Sequence, residues 1–314
     1  MNVVFCGTGA FGLPALRALA ASEFRPRLVV TQPDRPAGRS RDLKASAIKT
    51  LAAELGVEVF QPERINRDEA LARLRAEAPD FLLVVAYGQI LRKAVLDLPR
   101  LMCVNLHGSA LPRWRGAAPI AAALAAGDAE SGVTAMRMDE GLDTGPILAV
   151  TREAVRPDDD AGTLHDRLAD MGGAMIVDVL RRVASGALRP TPQDDAAATV
   201  CRTLDRADGR LDWTRPAAEL ERRVRAMRPW PGAWTTVRRA DGTSYELGVL
   251  KAAVADAVGG AAPGTVLAAE GDACVVAAGG GALRLTEVKP AGKSAMEIGA
   301  FLRGRRLSAG DRCD

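Results

Sequence analysis

The sequence predicts an α/β chain in two parts, a mainly parallel sheet covered by helices on both faces and then a small β-barrel. Three observations carry this reading. Apolar strand-like runs alternate with helix-period stretches as far as residue 188, the composition breaks over 189–207, and about five short strand candidates crowd what remains. The 314 residues are enough for two cores, since a domain holds roughly 100–200 residues. The expected division is 1–188, a linker over 189–207, and 208–314.

Residues 2–6 (NVVFC) read as a buried strand, and 13–22 as a helix with Leu13, Leu16 and Leu19 on one side. Between them GTGAFG (7–12) is a literal GxGxxG in strand-turn-helix context, a motif that holds an anion on backbone amides at a helix N-terminus. A dinucleotide site also requires an acidic residue closing the second strand, but the strand over 27–31 runs into Gln32 and Pro33. The turn is therefore read as a tight connection in a Rossmann-like sheet, with nicotinamide binding as a minor alternative.

The loop 32–44 (QPDRPAGRSRDLK) carries Arg35, Arg39, Arg41 and Lys44 among prolines and a glycine. Its composition opposes regular structure and suits a basic arm touching a polyanion, a solvated connection being the bland alternative. A helix over 45–55, a strand over 57–60, an Asn66-capped helix over 67–77 and a strand over 81–86 continue the alternation. Further on, 117–126 reads as a small-residue helix, 132–138 and 146–151 as strands, and 163–185 as a long helix capped by Gly186. His165 in that helix reads as a packing or surface residue.

The linker signal at 189–208 is two prolines, an acidic pair and an alanine run. Beyond it, 217–227 reads as a helix with Arg222, Arg225 and Arg228 in one basic stripe. Strands are expected at 233–239, 245–250, 265–268, 273–277 and 283–288. That many short strands suggest a barrel, the oligonucleotide-binding (OB-like) type being one economical solution.

No apolar run approaches the roughly 20 residues of a membrane helix. No basic segment precedes the first strand, so neither a membrane span nor a secretory leader is expected and the cytoplasm is the simplest location. Cys6, Cys103, Cys201, Cys274 and Cys313 form no CxxC pair, and His107 and His165 are the two histidines, so metal-free chemistry is expected. The net charge of +3 resides in the residues after 206, which permits a nucleic-acid partner without requiring one.

The chemistry concentrates in residues 105–119 (NLHGSALPRWRGAAP), directly after an apolar run ending at Val104. Strand alternation puts Asn105 and His107 on one face at the strand's mouth, where open α/β sheets receive ligands. An asparagine N–H and an imidazole can together stabilise an oxyanion and assist a nucleophile. A carboxylate is the usual third partner, and Asp143 in the loop 139–145 (DEGLDTG) is the best candidate. Ser109 invites a hydrolase reading, but it lies two residues from the histidine and no GxSxG surrounds it. Taken singly, Asn105 could simply end the strand and Asp143 could be an Asx-turn residue.

NLHGSALPRWRGAAPI followed by GVTAMRMDEGLDTGPIL resembles the signature of the folate-dependent formyltransferases. The likeness runs nearly end to end, through VVFCGTGAF, VVTQPDRPAGR and VVAYGQIL to GRLDW, RAMRPWPGAWT and ALRLTEVKPAGKS. QPDRPAGR and the motifs of the second part resemble the branch whose acceptor is a charged tRNA. A branch acting on amino-sugar nucleotides is the main alternative; a nicotinamide oxidoreductase and a non-catalytic RNA-binding protein lie further off.

The resemblance implies transfer of a formyl group from 10-formyltetrahydrofolate to the α-amino group of methionyl-initiator-tRNA. It implies catalytic roles for Asn105, His107 and Asp143, and folate contacts from Ser109, Ala110, Leu111 and Pro112 and from the turn bearing Tyr87, Gln89, Ile90 and Leu91. It further implies tRNA contacts from Arg35, Arg39, Arg41 and Lys44, Arg39 being the position most often implicated, and from Arg222 and Arg225 in an OB-like second domain. No metal is expected, and a monomer is. The sequence departs from the pattern at Asp42, where many relatives are basic, at Gly9-Ala10, and at Ala110, which replaces a leucine. An α-amino group with a pKa of about 7.7–8.0 is already partly nucleophilic at neutral pH. The costly feature is the charge on the formyl oxygen, where one lost donor costs roughly 3 kcal/mol.

Overall fold

The computed structural model describes residues 1–37, 42–256, 260–304 and 307–314. They gather into two compact units. The first comprises Met1–Pro119, Glu130–Ala154 and His165–Cys201, and the second Ile120–Ala129, Val155–Leu164 and Arg202–Asp314.

In chain order the strands running up to the second unit's barrel are β1 (Val3–Gly7), β2 (Pro26–Val30), β3 (Arg35–Ala37), β4 (Asp42–Lys44), β5 (Glu58–Phe60) and β6 (Phe81–Val85). They continue with β7 (Met102–His107), β8 (Arg115–Gly116), β9 (Glu130–Arg137), β10 (Ile147–Ala154) and β11 (Val200–Cys201). Among them run α1 (Leu13–Ala20), α2 (Ala47–Glu54), α3 (Asp68–Ala76), α4 (Lys93–Leu96), α5 (Pro119–Ala126) and α6 (Ala161–Ala184).

The main sheet has the order β10-β9-β7-β6-β1-β2-β5, parallel from β7 to β5 and closed on its other edge by the antiparallel β9 and β10. β1 and β6 are buried throughout, which explains their continuous apolar runs. Alternation sorts their side chains: Val4, Cys6, Leu82 and Val84 face Leu71 and Leu74 of α3 and Val95 of α4. On the opposite face Phe81 meets Phe24 edge-on, with ring centroids 6.1 Å apart.

Two local expectations are corrected, and the expected linker is found to be anchored along part of its length. The loop over 32–44 is partly regular, because β3 and β4 pair antiparallel as a separate two-stranded ribbon, where an edge position tolerates Pro36; Arg39 and Arg41 lie outside the described residues. Asn66 does not cap α3; its carboxamide spans to the turn after β6 instead. Residues 189–201 are no free tether. β11 pairs in parallel with β8, and Thr191 bridges Ile147. This stretch is held by hydrogen bonds rather than apolar burial, so its composition imitates a linker.

The GTGAFG turn spends its amides internally. Thr8 and Gly9 both donate their backbone N–H to the Ala86 carbonyl, at 3.2 and 3.3 Å, and Gly12 donates to Gly9. The groups a pyrophosphate would need are thus already engaged.

The second unit adds α7 (Ala217–Ala226), β12 (Ala233–Arg238), β13 (Ser244–Ala255), β14 (Val266–Glu270), β15 (Ala273–Ala277) and β16 (Ala282–Pro290). It ends with β17 (Met296–Glu297), α8 (Ile298–Leu302) and β18 (Arg312–Cys313). All five expected strands form, in the antiparallel order β14-β15-β16-β13-β12-β18, with β17 beside β16. Register shifts around Lys251 bend the long β13. The edges then meet: Thr265 bridges Arg312, and Cys313 donates to Gly264 at 2.7 Å. Closure of this kind leaves little unpaired edge and gives the barrel.

Candidate active site

The site grows from the carboxyl end of β7. Cys103, Asn105 and His107 share one face of the strand, and Val104 and Leu106 the other. Pairing to Val84 of β6 and to Met136 and Thr134 of β9 fixes the height of Asn105 and His107. His107 is buried; Asn105 and Asp143 are half-buried.

Asp143 is the point at which three groups meet, two of them donors. Its Oδ1 accepts from Asn105 Nδ2 at 3.4 Å, its Oδ2 accepts from the Gly116 backbone N–H at 2.9 Å, and the same oxygen lies 3.5 Å from His107 Nδ1. The residue occupies the left-handed region at φ 53°, a conformation that aspartate adopts more readily than most side chains. The loop ends at Gly145, where a Cβ would stand 1.8 Å from the Arg137 carbonyl oxygen.

The other side of the imidazole is fixed by the turn after β7. His107 Nε2 lies 2.8 Å from the Trp114 carbonyl oxygen. A carbonyl only accepts, so Nε2 carries a proton and Nδ1 is the nitrogen presented to the carboxylate. Trp114 itself sits at φ 60°, unusual for so bulky a residue, and its N–H donates to Thr199 Oγ1 at 2.8 Å. The Ser109 hydroxyl donates to the Arg113 carbonyl at 2.6 Å rather than to His107, which removes the hydrolase geometry. Thr134 Oγ1 ties the segment down, donating to the Ser109 carbonyl at 2.7 Å and accepting from the Leu111 N–H at 3.0 Å. Leu111 is buried, and Ala110 and Pro112 are half-buried.

The turn after β6 divides its residues between core and surface. Tyr87 and Leu91 belong to the core cluster, and burial raises the Tyr87 phenol pKa. Ile90 is exposed. The Gln89 carboxamide braces the neighbouring loop, accepting from the Ile65 N–H at 2.9 Å and donating to the Glu63 carbonyl at 3.2 Å. Asn66 completes the clasp, donating to Ile90 O at 2.8 Å and accepting from the Arg92 N–H at 2.9 Å.

Two cavities flank this turn. One, of about 460 Å³, is lined by Leu96, Leu101, Cys103, Met138, Asp139 and Pro146. It reaches β7 on the face that carries Asn105 and His107, since Cys103 is two residues earlier. The other, of about 500 Å³, is lined by Arg35, Arg64, Arg67 and Arg92 with Asn66 and Ile90. Arg64, Arg67 and Arg92 have no ion-pair partner among the described residues, and with Glu63 as the acidic member of the lining the cleft is basic on balance. Sequence reasoning missed both. The arginines come from three loops that converge only when β2, β5 and β6 align their carboxyl ends.

Of the other basic positions, Arg35 and Lys44 are exposed on the ribbon. The stripe on α7 is largely engaged within the second unit. Arg225 makes a two-armed pair with Glu221 at 2.7 and 3.1 Å and donates to Asp159 O, Arg228 pairs with Asp160, and Arg222 Nε donates to Ala125 O at 3.3 Å. Burial pushes the Cys103 thiol up to about 12, so it lines its cavity as a neutral apolar group. Among the described residues no three His, Cys, Asp or Glu side chains gather as metal ligands, and no helix is long and apolar enough to cross a membrane.

Comparison with known proteins gives a consistent picture. The family profile described as formyl transferase matches residues 1–180, and that of the formyl transferase C-terminal domain matches 203–306. The chain is 50% identical over 312 residues to a methionyl-tRNA formyltransferase of Thiobacillus denitrificans, covering 99% of each. It is 48% identical over 306 residues to one of Pseudomonas putida strain GB-1, covering 98% of this chain and 96% of the other. Among solved structures it resembles WlaRD, a sugar 3N-formyl transferase, with a TM-score of 0.68 at 15% identity over 94% of this chain and 99% of that one. It also resembles HypX from Aquifex aeolicus in complex with tetrahydrofolic acid, with a TM-score of 0.61 at 18% identity, over 96% of this chain and 47% of that one. These two likenesses concern the fold alone. The chain belongs to the formyl transferase family through both its N-terminal and its C-terminal domain.

Proposed function

We propose that the protein transfers the formyl group of 10-formyltetrahydrofolate to the α-amino group of methionyl-initiator-tRNA, giving N-formylmethionyl-tRNA for translation initiation. The observation that carries the reading is the meeting of Asn105, His107 and Gly116 on Asp143, at the mouth of β7 and on the strand face that bounds the cavity beside Cys103. The relatives named methionyl-tRNA formyltransferase support the choice of acceptor.

The donor fits the two cavities by size and charge. The cavity at Leu96, Cys103 and Met138 has the volume of a small-molecule site, about 300–1,000 Å³, and takes the flat ring system. Folate ends in glutamate carboxylates, and Arg64, Arg67 and Arg92 supply the planar cationic partners those require. Ser109, Ala110, Leu111 and Pro112 form the wall against the formyl-bearing part, with Tyr87, Gln89, Ile90 and Leu91 as the partition between the cavities.

The free amine adds to the formyl carbon, and the carbonyl oxygen takes up the electron pair. Asn105 donates to that oxyanion through the N–H of its carboxamide not turned to Asp143. His107, held by Trp114 O on Nε2, exchanges a proton at Nδ1, and Asp143 holds the imidazole and relays the proton lost by the amine to the folate nitrogen. Cleavage of the carbon–nitrogen bond then leaves tetrahydrofolate and the formylated amine.

In this reading residues 1–188 catalyse, 189–207 connect, and 208–314 bind tRNA, in a cytoplasmic monomer. Arg35, Arg39, Arg41 and Lys44 approach the phosphates of the acceptor end, helped by Arg222 and Arg225. The test is a formylation assay with labelled 10-formyltetrahydrofolate, offering charged initiator tRNA, charged elongator tRNA and an amino-sugar nucleotide in parallel. Label on the initiator alone supports the reading, and label on the sugar nucleotide overturns it.

A further inference from the structure

We propose that Gln193 is a positioning residue for formyl transfer and acts through Asp143; this rests on the catalytic reading of Asp143 above. Gln193 lies outside every recognised motif, in the stretch whose composition reads as a linker. All of its amide is nonetheless committed to the site. Its Oε1 accepts from Arg115 Nε at 3.0 Å, and its Nε2 donates to the carbonyl of Asp143 at 2.8 Å and to that of Gly145 at 2.7 Å. A guanidinium only donates and carbonyls only accept, so these partners fix which end of the amide is which.

The contacts close a ring. From the Gln193 amide one arm reaches the backbone of Asp143. The other reaches Arg115, whose neighbour Gly116 donates its N–H to the carboxylate of that same Asp143. Arg115 is buried, and its second anchor is Asp195 at 2.7 Å, so the guanidinium is committed to residues 193–195. Asp143 and Trp114 both hold left-handed backbones, conformations that persist only where surrounding contacts over-determine them. The ring supplies that over-determination for Asp143, pinning the carbonyls on both sides of Thr144 to one NH2 group. No hydrogen bond links Gln193 to Asn105 or His107, so its influence on the reacting groups passes through the carboxylate.

The test compares Gln193→Ala, Gln193→Glu, Asp143→Ala and the Gln193→Ala/Asp143→Ala double variant in the formylation assay, with thermal melts of each. Gln193→Glu keeps the length and the acceptor for Arg115 but loses both donors to the loop. We expect kcat to fall by at least about tenfold in both Gln193 variants, with KM for donor and tRNA within about twofold and Tm close to that of the wild-type protein. In the Asp143→Ala background, adding Gln193→Ala should change kcat no further. Three results overturn the proposal: wild-type kcat in Gln193→Glu, a Gln193→Ala loss that multiplies fully with that of Asp143→Ala, or a loss matched by a comparable fall in Tm across both Gln193 variants. If Asp143→Ala alone keeps full kcat, the catalytic reading fails instead, and that result is distinct from the other three.

Discussion

The backbone N–H of Gly116 points at Oδ2 of Asp143 from 2.9 Å, and only glycine can hold it there. Gly116 has φ 112°, and a Cβ on it would lie 2.1 Å from the Cys201 carbonyl oxygen in the paired strand β11. Gly116→Ala therefore strains the backbone and pushes β8 away from β11, with a stability cost above about 1 kcal/mol. The N–H leaves the carboxylate as β8 moves. Single-turnover formylation should slow by at least about tenfold and the melting temperature should drop. An alanine variant with unchanged turnover would show that this donor does not orient Asp143.

In the proposed reaction Asn105 donates to the formyl oxygen on which charge develops. Asn105→Ala removes one preorganised donor from a half-buried position while leaving β7 and its pairing in place. The expected loss is about 10²-fold in kcat, with KM for either substrate nearly constant because the interaction strengthens only in the transition state. Steady-state kinetics with each substrate varied in turn decide it. A rise in KM alone would reassign Asn105 to ground-state binding.

Much of this site is legible in the sequence. Period-two alternation placed Asn105 and His107 together, and a second loop at the carboxyl edge supplied Asp143, because strand geometry leaves those side chains little choice. Hydrogen bonds between distant loops were invisible. Gln193 meets Asp143 and Arg115 across 50 and 78 residues, with no periodicity to announce it. Gln89 belongs to a folate-type motif, yet its amide is spent on Ile65 and Glu63. Part of the α7 stripe was legible in principle, since Glu221 stands four residues before Arg225 and such pairs meet on a helix.

The arginine cleft gives a prediction that separates donor from acceptor. Arg64→Ala combined with Arg92→Ala removes two unpaired guanidiniums from loops that Gln89 and Asn66 clasp through backbone and carboxamide groups, so the loops should keep their shape. KM for 10-formyltetrahydrofolate should rise by about tenfold or more, each charged hydrogen bond being worth roughly 1.5–3 kcal/mol. The KM for tRNA should stay put, and the wild-type donor affinity should weaken with added salt more than that of the variant. A selective rise in the tRNA KM would assign the cleft to phosphates instead.

Asp80 links pH to the stability of the central strands. Its carboxylate accepts from the Asn2 N–H at 2.8 Å and from Arg100 Nε at 2.7 Å, tying the starts of β1 and β6 together where Val3 pairs with Phe81. The Asn2 backbone hydrogen bond, with help from Arg100, holds its pKa below the ordinary carboxylate value against the opposing effect of burial. A folded-state pKa below the unfolded one means that the unfolded chain binds the proton more readily. The contribution is therefore complete at about pH 5 and above, and is lost as pH falls through the unfolded and then the folded value. Asp80→Asn should melt lower than the wild-type protein near neutral pH, and the gap should narrow steadily between about pH 5 and pH 3 as the wild-type carboxylate is protonated. Thermal melts of both proteins across that range measure it, and a gap independent of pH would mean that the charge of Asp80 contributes nothing to the fold.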